Sequence, residues 1–317
     1  MKKKVFLIGT GQMAIDYFAV MKDQNCDITV IGRGEESALK FESKTGVKPF
    51  VGGLQEYIQN NSLPANAYVI IATGTEALMP SLLIALQAGA YKVLIEKPAA
   101  ISIEELIENE DKLLLYSNNV FVAYNRRFYA SVLEAQRMIE EDGGLKTIHF
   151  EFTEWAHKIE PLSKAVGVKE NWFFANSTHV VDLAFYISGM PIDWKAFSKF
   201  GKLKWHSNTN FVGAGITEKG ILFSYMSNWE SAGRWGLELL TEKRRIYLKP
   251  LESISVQEKG TVSLIEYKFD DHLDLQYKPG LFMQIHSFLN QMNGRLLSLK
   301  EHVNITRHVY SKMVGYT

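Results

Sequence analysis

The sequence of 317 residues has one cysteine, no excess of charge of either sign and no long apolar run. A single cysteine, Cys26, cannot form an intramolecular disulfide, which agrees with a reducing compartment. Because 35 Lys and Arg balance 35 Asp and Glu, no basic field attracts nucleic acid or anionic lipid. No stretch of about 18 apolar residues predicts a membrane-spanning helix. These absences predict a cytoplasmic protein with neither nucleic-acid nor membrane partners.

The basic start of the chain, Met1 to Lys4, resembles the first part of a signal peptide but lacks what should follow. The apolar run Val5 to Ile8 is interrupted by Gly9, well short of the roughly 7–15 apolar residues of a signal peptide. We therefore expect no secretory signal. The eight histidines are scattered and the cysteine stands alone, so no metal site is expected.

The first part of the chain alternates short apolar runs with amphipathic stretches, which is typical of βαβ units. The runs predict buried strands of a parallel sheet at 5–8, 28–31, 47–51, 68–72, 93–95 and 120–123. Helices are expected at 76–88 and 102–116, the second opening with a capping box made by Ser102 and Glu105. Residues 1–124 are therefore predicted to form an α/β domain with a doubly wound parallel sheet.

The pattern changes after Tyr124, and the length itself suggests a second domain at roughly 100 to 200 residues per domain. Helices are predicted at 130–140, 178–187, 281–292 and about 298–313. Strands are predicted at 146–155, 194–205, 211–216, 221–229, 235–241, 245–249 and 262–269. Residues 125–317 should thus form an α+β domain with a large, mostly antiparallel open sheet. Because two closing helices cannot easily cover this sheet, we expect a homodimer or homotetramer that associates through it.

A glycine motif, Gly9-Thr10-Gly11-Gln12-Met13-Ala14, follows the first predicted strand and opens the first predicted helix. This is the context of a dinucleotide-binding fingerprint. Gly9 permits the tight turn, Gly11 lets the backbone approach the pyrophosphate, and Ala14 keeps the helix close to the sheet. The helix N-terminus offers unpaired amides to the phosphates. The motif predicts a Rossmann domain whose residues Gly9, Thr10, Gly11, Gln12 and Met13 bind the cofactor.

The end of the second strand indicates which dinucleotide is bound. An NAD site usually has Asp or Glu there, whereas an NADP site offers Arg to the 2′-phosphate. Ile31 is followed by Gly32 and Arg33, which favours NADP. Two alternatives are compatible with NAD as the cofactor: Arg33 stacks on adenine, or Glu35 reaches the ribose.

Two further sites follow later strands at the edge where doubly wound sheets bind ligands. Thr73 and Thr75 follow the fourth strand and can meet the ribose or nicotinamide, although a hydroxyl-rich helix start explains either one equally well. Glu96-Lys97-Pro98 follows the fifth strand, which places Lys97 where a substrate hydroxyl would meet the nicotinamide. Taken alone, a solvated surface charge is the simpler interpretation of this lysine.

In order and spacing, four features resemble the glucose–fructose oxidoreductase/inositol dehydrogenase (Gfo/Idh/MocA) family. They are the glycine motif, the Thr73-Gly74-Thr75 turn, residues 88–98 with Glu96-Lys97-Pro98, and residues 124–128; a fifth, residues 178–182, is looser. The resemblance implies an NAD(P)-dependent dehydrogenase that transfers a hydride between nicotinamide and a secondary alcohol or ketone. Its implied substrate is a sugar, cyclitol or nucleotide sugar.

The resemblance also assigns roles to individual residues. It implies that Lys97 contacts the reacting oxygen and takes part in proton transfer, that Glu96 borders the cofactor and sets the environment of Lys97, and that His179 is the general acid/base. Many relatives have Asp four residues before this His, but here the position is Ala175. Besides Lys97 and His179, the predicted substrate contacts are Asn125, Arg127, Trp155, whose aromatic face can stack on a sugar ring, and Asn176, whose neutral amide can orient a hydroxyl but cannot titrate.

Other interpretations stay open at this point. Without the resemblance, His179 and Asp182 would be read as a structural pair, and Trp155, His157 and Trp172 are as plausible in a core as at a substrate face. The same fold can also reduce an imine or enone. A protein of another class, a dinucleotide-binding sensor without turnover, is compatible with the missing Asp at Ala175.

Overall fold

The computed structural model describes residues 2–116 and 118–315. Up to residue 125, strands and helices alternate as predicted. The strands are β1 (Lys4–Ile8), β2 (Asp27–Gly32), β3 (Phe50–Val51), β4 (Tyr68–Ile71), β5 (Lys92–Glu96) and β6 (Val120–Ala123). The helices are α1 (Gln12–Asp23), α2 (Glu35–Thr45), α3 (Gly53–Asn60), α4 (Leu78–Gln87), α5 (Ile103–Glu108) and α6 (Glu110–Leu114). The single helix expected at 102–116 is thus two short helices that meet at Asn109.

The rest of the chain begins with a helix and continues with a series of strands. Its strands are β7 (Thr147–Glu151), β8 (Pro191–Phe200), β9 (Asn208–Thr217), β10 (Leu222–Asn228), β11 (Gly236–Leu240), β12 (Arg244–Leu248), β13 (Ile254–Glu258), β14 (Ile265–Tyr267) and β15 (Leu297–Ser298). Its helices are α7 (Ala130–Glu141), α8 (Ala156–Ile159), α9 (Thr178–Ser188), α10 (His272–Gln276), α11 (Leu281–Leu289), α12 (Leu299–Ile305) and α13 (Ser311–Val314). Turns of π-helix, Phe173–Ser177 and Thr306–Tyr310, precede α9 and α13.

The described residues divide into two compact units. One contains those up to Asn125 together with Asp274–Asn304, and the other contains Arg126–Leu273 together with those from Ile305 onward. Residues 125–317 were predicted to form the second domain, whereas α11 and β15 belong to the first unit. They join it because α11 packs on α1, and because β15 covers the open edge of β6 through the antiparallel pair Leu297 and Val122.

The first unit is built on a sheet that has seven strands among the described residues, in the order β15-β6-β5-β4-β1-β2-β3. All neighbours from β6 to β3 are parallel. This is the strand order of a doubly wound dinucleotide-binding fold. Every residue of β4 and β6 is buried, as expected for strands covered on both faces. The predicted Rossmann domain is confirmed.

The second unit is built on a sheet of eight strands among the described residues, in the order β14-β13-β12-β11-β7-β10-β9-β8. Only β7 and β10 pair in parallel, so the predicted, mostly antiparallel sheet is confirmed. Helices α7, α9 and α13 pack on it. Several details differ from the prediction: β13 was missed, β7 ends at Glu151 rather than at Trp155, β8 is Pro191–Phe200 rather than 194–205, and β14 is shorter than the predicted 262–269. Residues 152–155 are therefore a loop.

None of the helices in residues 2–116 and 118–315 is long and apolar enough to cross a membrane.

Candidate dinucleotide-binding and active site

The turn between β1 and α1 is held tightly against the neighbouring strands. Gly9 has a φ of +120°, and its amide donates a 2.8 Å hydrogen bond to the carbonyl oxygen of Ile31 in β2. A Cβ at Gly9 would lie 2.3 Å from the carbonyl oxygen of Ala72, so only glycine fits there. At Gly11, by contrast, a Cβ would meet no atom of the chain within 4 Å. The turn therefore leaves open space in front of the first amides of α1.

That open space is part of a cavity of about 770 Å³ within the first unit, a volume within the roughly 300–1,000 Å³ typical of ligand pockets. The predicted cofactor residues that line it are Gly9, Thr10, Gly11, Gln12, Met13, Arg33 and Thr73. Thr75, Glu96 and Lys97 are not among its lining residues. The cavity is also lined by Gly52–Gln55, which were not predicted; Gly52 and Gly53 both have positive φ and lead into α3. The adjacent glycines Gly52 and Gly53 are the sequence feature that could have indicated this part of the cavity.

The cavity has the chemical features that a dinucleotide requires. The N-terminus of α1 opens into it, which suits a pyrophosphate. Thr73 Oγ1 is buried and has no hydrogen-bond partner among the described residues, so a ligand hydroxyl or amide can complete its bonding. The residues present therefore fit a bound dinucleotide.

At the end of β2, the side chain of Arg33 is exposed and borders the same cavity. Within residues 2–116 and 118–315, no carboxylate lies within ion-pairing distance of its guanidinium. The Thr10 hydroxyl donates to Ser37 Oγ at 2.9 Å, and Ser37 in turn donates to the carbonyl oxygen of Gly34 at 3.0 Å. These bonds fix the loop that carries Arg33.

The turn that carries Lys97 is held from two sides within the first unit. Tyr17, fully buried in α1, donates a 2.6 Å hydrogen bond to Oε1 of Glu96. Nε2 of the buried His302 lies 2.8 Å from the carbonyl oxygen of Pro98, so this nitrogen carries the proton. The Lys97–Pro98 peptide bond is cis, and Ala99 adopts a φ of +70°. Neither Tyr17 nor His302 was identified from the sequence, because both act through tertiary contacts.

Asn125, a predicted substrate contact, is buried at the end of the first unit. Its Nδ2 donates a 2.9 Å hydrogen bond to the carbonyl oxygen of Pro279.

His179 lies in the first turn of α9 in the second unit and is almost completely buried. The centroid of its ring is 5.9 Å from that of Trp235. On the same helix, the carboxylate of Asp182 accepts two hydrogen bonds from Arg127, at 2.8 and 2.6 Å. The guanidinium of Arg127, a predicted substrate contact, also lies 4.5 Å from the ring centroid of Tyr186. This buried ion pair anchors α9.

A second buried acid, Glu154, lies in the loop that follows β7 and was not singled out from the sequence. Its Oε1 accepts hydrogen bonds from Asn176 at 3.0 Å and from Ser177 at 2.8 Å. Nη1 of Arg234 lies 3.5 Å from its Oε2. Burial raises the pKa of Glu154, although its hydrogen bonds and Arg234 oppose this rise.

The three aromatic and histidine candidates have different surroundings. Trp155 is 45% exposed, its indole N–H donates to the carbonyl oxygen of Gly233, and its ring lies 4.7 Å from the Arg234 guanidinium. His157 is exposed and Trp172 is buried. Within residues 2–116 and 118–315, no group of three or more His, Cys, Asp or Glu is arranged to hold a metal ion.

A doubly wound sheet with this glycine turn is a dinucleotide-binding fold, and the second unit of the chain is built on a large, mostly antiparallel sheet. Residues 3–124 match the model of the Gfo/Idh/MocA family, described as an oxidoreductase family with an NAD-binding Rossmann fold. The N-terminal domain of the chain belongs to this family, and the resemblance inferred from the motifs is confirmed.

Solved structures share the fold over the whole chain. An oxidoreductase from Agrobacterium radiobacter in complex with NAD+, L-tartaric acid and magnesium is 14% identical, with a TM-score of 0.74 and coverage of 100% of this chain and 98% of that one. Levoglucosan dehydrogenase in complex with NADH and L-sorbose is 18% identical, with a TM-score of 0.75 and the same coverages. The WlbA dehydrogenase from Chromobacterium violaceum, in complex with NADH and UDP-GlcNAcA, is 15% identical, with a TM-score of 0.72 and coverage of 99% and 93%. A comparison with curated proteins gave no significant match.

Proposed function

We propose that the chain is an NAD(P)-dependent dehydrogenase or reductase acting on a secondary alcohol or ketone of a polyhydroxylated small molecule, such as a sugar, cyclitol or nucleotide sugar. The observation that carries the proposal is the Lys97 turn, fixed by Tyr17 and His302 directly after β5. In an open α/β sheet, ligands bind outside the carboxyl ends of the strands. The sugar and nucleotide-sugar ligands of levoglucosan dehydrogenase and WlbA support this substrate class.

The reaction follows from the chemistry of the residues in each unit. When bound, the nicotinamide accepts or donates the hydride. The Lys97 ammonium donates a hydrogen bond to the reacting oxygen, and its neutral amine accepts the hydroxyl proton in the oxidative direction. Charge that develops on the oxygen is thereby neutralised. His179 serves as general acid/base, a role that rests on the family resemblance.

The predicted substrate contacts differ in their exposure and in the hydrogen bonds that they already make. Trp155 offers an exposed aromatic face, on which a sugar ring can stack. Asn176 offers its amide oxygen to a substrate hydroxyl, whereas the buried Asn125 already donates from its amide to the carbonyl oxygen of Pro279. Arg127 is engaged by Asp182, so its contribution is to hold α9 and the histidine that α9 carries.

NADP is the cofactor that Arg33 favours. An exposed guanidinium at the end of β2, beside the cavity, can hold a 2′-phosphate through charge-assisted hydrogen bonds. No acidic residue occupies the strand end itself, since position 32 is glycine.

Self-association through the second sheet is proposed from a row of exposed apolar side chains on adjacent strands. Phe197, Val212 and Met226 are paired across β8, β9 and β10, and they are 68%, 51% and 47% exposed. A second copy of the chain would cover them. Sedimentation should show a dimer or tetramer that Phe197→Glu weakens and the loop variant Val262→Glu does not. A monomeric wild type would contradict this proposal.

The function is tested by following nicotinamide absorbance with levoglucosan, L-sorbose, myo-inositol and UDP-N-acetylglucosamine. Lys97→Met keeps the aliphatic stem and removes the ammonium, so turnover should be lost while the dinucleotide Kd stays within a few-fold. Lys40→Met, on the exposed face of α2, is the matched control and should behave as wild type. Full activity of Lys97→Met would disprove the role of this lysine. Dinucleotide binding without turnover of any compound would instead favour a non-catalytic sensor.

A further inference from the structure

Three segments of the second unit meet around the carboxylate of Glu154. Glu151, the last residue of β7, pairs with Gly236, the first residue of β11. Because these strands are antiparallel, the loop after β7 and the loop before β11 lie side by side. The π-helical turn Phe173–Ser177, which leads into α9, supplies the third segment.

The Glu154 carboxylate is 1% exposed, and such a group is costly to bury unless it is well hydrogen-bonded. Both polar side chains at the end of the π-helical turn bind the same oxygen: Asn176 Nδ2 at 3.0 Å and Ser177 Oγ at 2.8 Å from Oε1. The other oxygen faces Arg234, whose guanidinium lies 4.7 Å from the ring centroids of both Trp155 and Trp235. The Glu154 carboxylate is therefore hydrogen-bonded to the turn that precedes His179.

Glu154 also determines the orientation of the Asn176 amide. A carboxylate oxygen accepts hydrogen bonds, so Asn176 must turn its NH2 group toward it. The two ends of an amide point in opposite directions, and the carbonyl oxygen of Asn176 therefore faces away from Glu154. Asn176 is only partly buried, which leaves this acceptor accessible.

We propose that Glu154 is a positioning residue that fixes the Asn176 amide so that its carbonyl oxygen accepts a hydrogen bond from a substrate hydroxyl. This inference rests on the proposed dehydrogenase function. It makes Glu154 a determinant of which hydroxyl pattern binds, through Asn176 rather than by direct contact.

The first test does not depend on activity. Selective 15N labelling of asparagine allows solvent exchange of the Asn176 NH2 group to be followed by NMR, with N176A to assign its signals. We expect exchange at least tenfold faster in E154Q, because a glutamine amide no longer requires Asn176 to donate. The matched control is D142N: Asp142 is another buried carboxylate of this unit, bonded to Thr241 at 2.8 Å and Arg244 at 2.9 Å. Unchanged exchange in E154Q, or equal acceleration in D142N, overturns the proposal.

The second test is a double-mutant cycle with whichever of the four compounds the wild type converts. E154Q should lower kcat/KM about ten- to hundredfold, as expected for a lost charge-assisted hydrogen bond, with the dinucleotide Kd unchanged. Since Glu154 acts through Asn176, the double variant E154Q/N176A should be no worse than N176A alone. Additive losses overturn the proposal. If the wild type converts none of the compounds, the proposed function fails, and the NMR exchange alone decides whether Glu154 positions Asn176.

Discussion

Tyr17 Oη donates a 2.6 Å hydrogen bond to Oε1 of Glu96, and this bond ties the helix that follows the glycine turn to the residue that precedes Lys97. Burial, followed by the charge of Glu96, raises the pKa of Tyr17 well above its ordinary value. The phenol therefore remains protonated and continues to donate. One partly buried hydrogen bond within the first unit thus connects α1, which follows the glycine turn, to the residue before the proposed catalytic lysine.

The first prediction concerns Tyr17→Phe, which keeps the ring and removes only the donor. We expect a loss of about 1.5–3 kcal/mol in the free energy of unfolding, the value typical of a hydrogen bond to a charged group. Turnover should fall while dinucleotide affinity stays within a few-fold, because Glu96 adjoins Lys97 and does not line the cofactor cavity. Urea denaturation and steady-state kinetics measure the two effects. Tyr247→Phe, which loses a 3.0 Å bond to Gln257 on the second sheet, is the control. Equal behaviour of the two variants would disprove the special role of Tyr17.

The two glycines of the β1–α1 turn should respond differently to alanine. Gly9→Ala places a methyl group 2.3 Å from the Ala72 carbonyl at a φ of +120°, so we expect it to lower stability by roughly 2 kcal/mol or more. Gly11→Ala meets no atom of the chain and should melt like wild type, yet its methyl group enters the space in front of α1 and should weaken dinucleotide binding at least tenfold. Thermal melting without ligand and fluorescence titration with dinucleotide separate the two effects. Normal melting of Gly9→Ala, or normal binding by Gly11→Ala, would contradict this account.

The first sheet could be predicted because the sequence features that specify it are local. Strands buried on both faces have continuous apolar sequences, and a glycine motif marks the first strand-to-helix turn. The capping box at Ser102 is likewise local, and the structure confirms it: Ser102 Oγ accepts from the Glu105 amide at 3.2 Å, while the Glu105 carboxylate accepts from the Ile101 amide at 2.7 Å.

The features that were missed depend on pairing between distant segments. β15 has two residues, too few to show a period, and it forms only because β6 presents an open edge. Glu154 falls within the strand predicted at 146–155, at a position that alternates with Phe150 and Phe152. Its burial depends on Asn176, Ser177 and Arg234, which sequence spacing cannot bring together. Local motifs therefore named several residues that line the cavity of the first unit, but they could not indicate the groups that support Lys97 and Asn176.

His206 should contribute to a loss of stability in acid. Its ring centroid lies 4.6 Å from that of Trp229, and burial lowers its pKa from 6.5 to about 4. Below pH 6.5 the unfolded chain binds a proton that the folded chain does not, so the stability present above pH 6.5 is lost as the pH falls toward 4. A shift of this size corresponds to about 3 kcal/mol.

The measurement is the free energy of unfolding in urea at several pH values across that window. His206→Asn keeps a donor for the Asn208 carbonyl oxygen, which lies 2.7 Å from Nδ1 of the histidine, and should flatten the acid decline by about 3 kcal/mol. The control is His272→Asn, because His272 is exposed and bonded only at the surface to Asp270. Parallel curves for wild type and His206→Asn would show that His206 does not cause the decline.

Cofactor choice is predicted to depend on Arg33. If its guanidinium holds a 2′-phosphate, Arg33→Ala removes a charge-assisted hydrogen bond worth about 1.5–3 kcal/mol, or roughly tenfold to a hundredfold in affinity. NADP should suffer this loss while NAD changes little. Arg33 makes no ion pair among the described residues, so its removal should leave the melting temperature unchanged. Equal weakening of both cofactors would mean that Arg33 stacks on adenine instead.

A second substitution should shift the preference toward NAD, by introducing at the end of β2 the acidic residue that NAD sites usually have there. A Cβ at Gly32 would lie 2.7 Å from Cγ2 of Thr10, so Gly32→Asp is best made together with Thr10→Ser, which removes that methyl group and keeps the hydroxyl bonded to Ser37. The new carboxylate should repel the 2′-phosphate and accept hydrogen bonds from the NAD ribose. The ratio of the NADP to the NAD dissociation constant should therefore rise at least tenfold over that of Thr10→Ser alone, measured by fluorescence titration. An unchanged ratio, or a wild type that already prefers NAD, would show that the 2′-phosphate is not recognised at this end of β2.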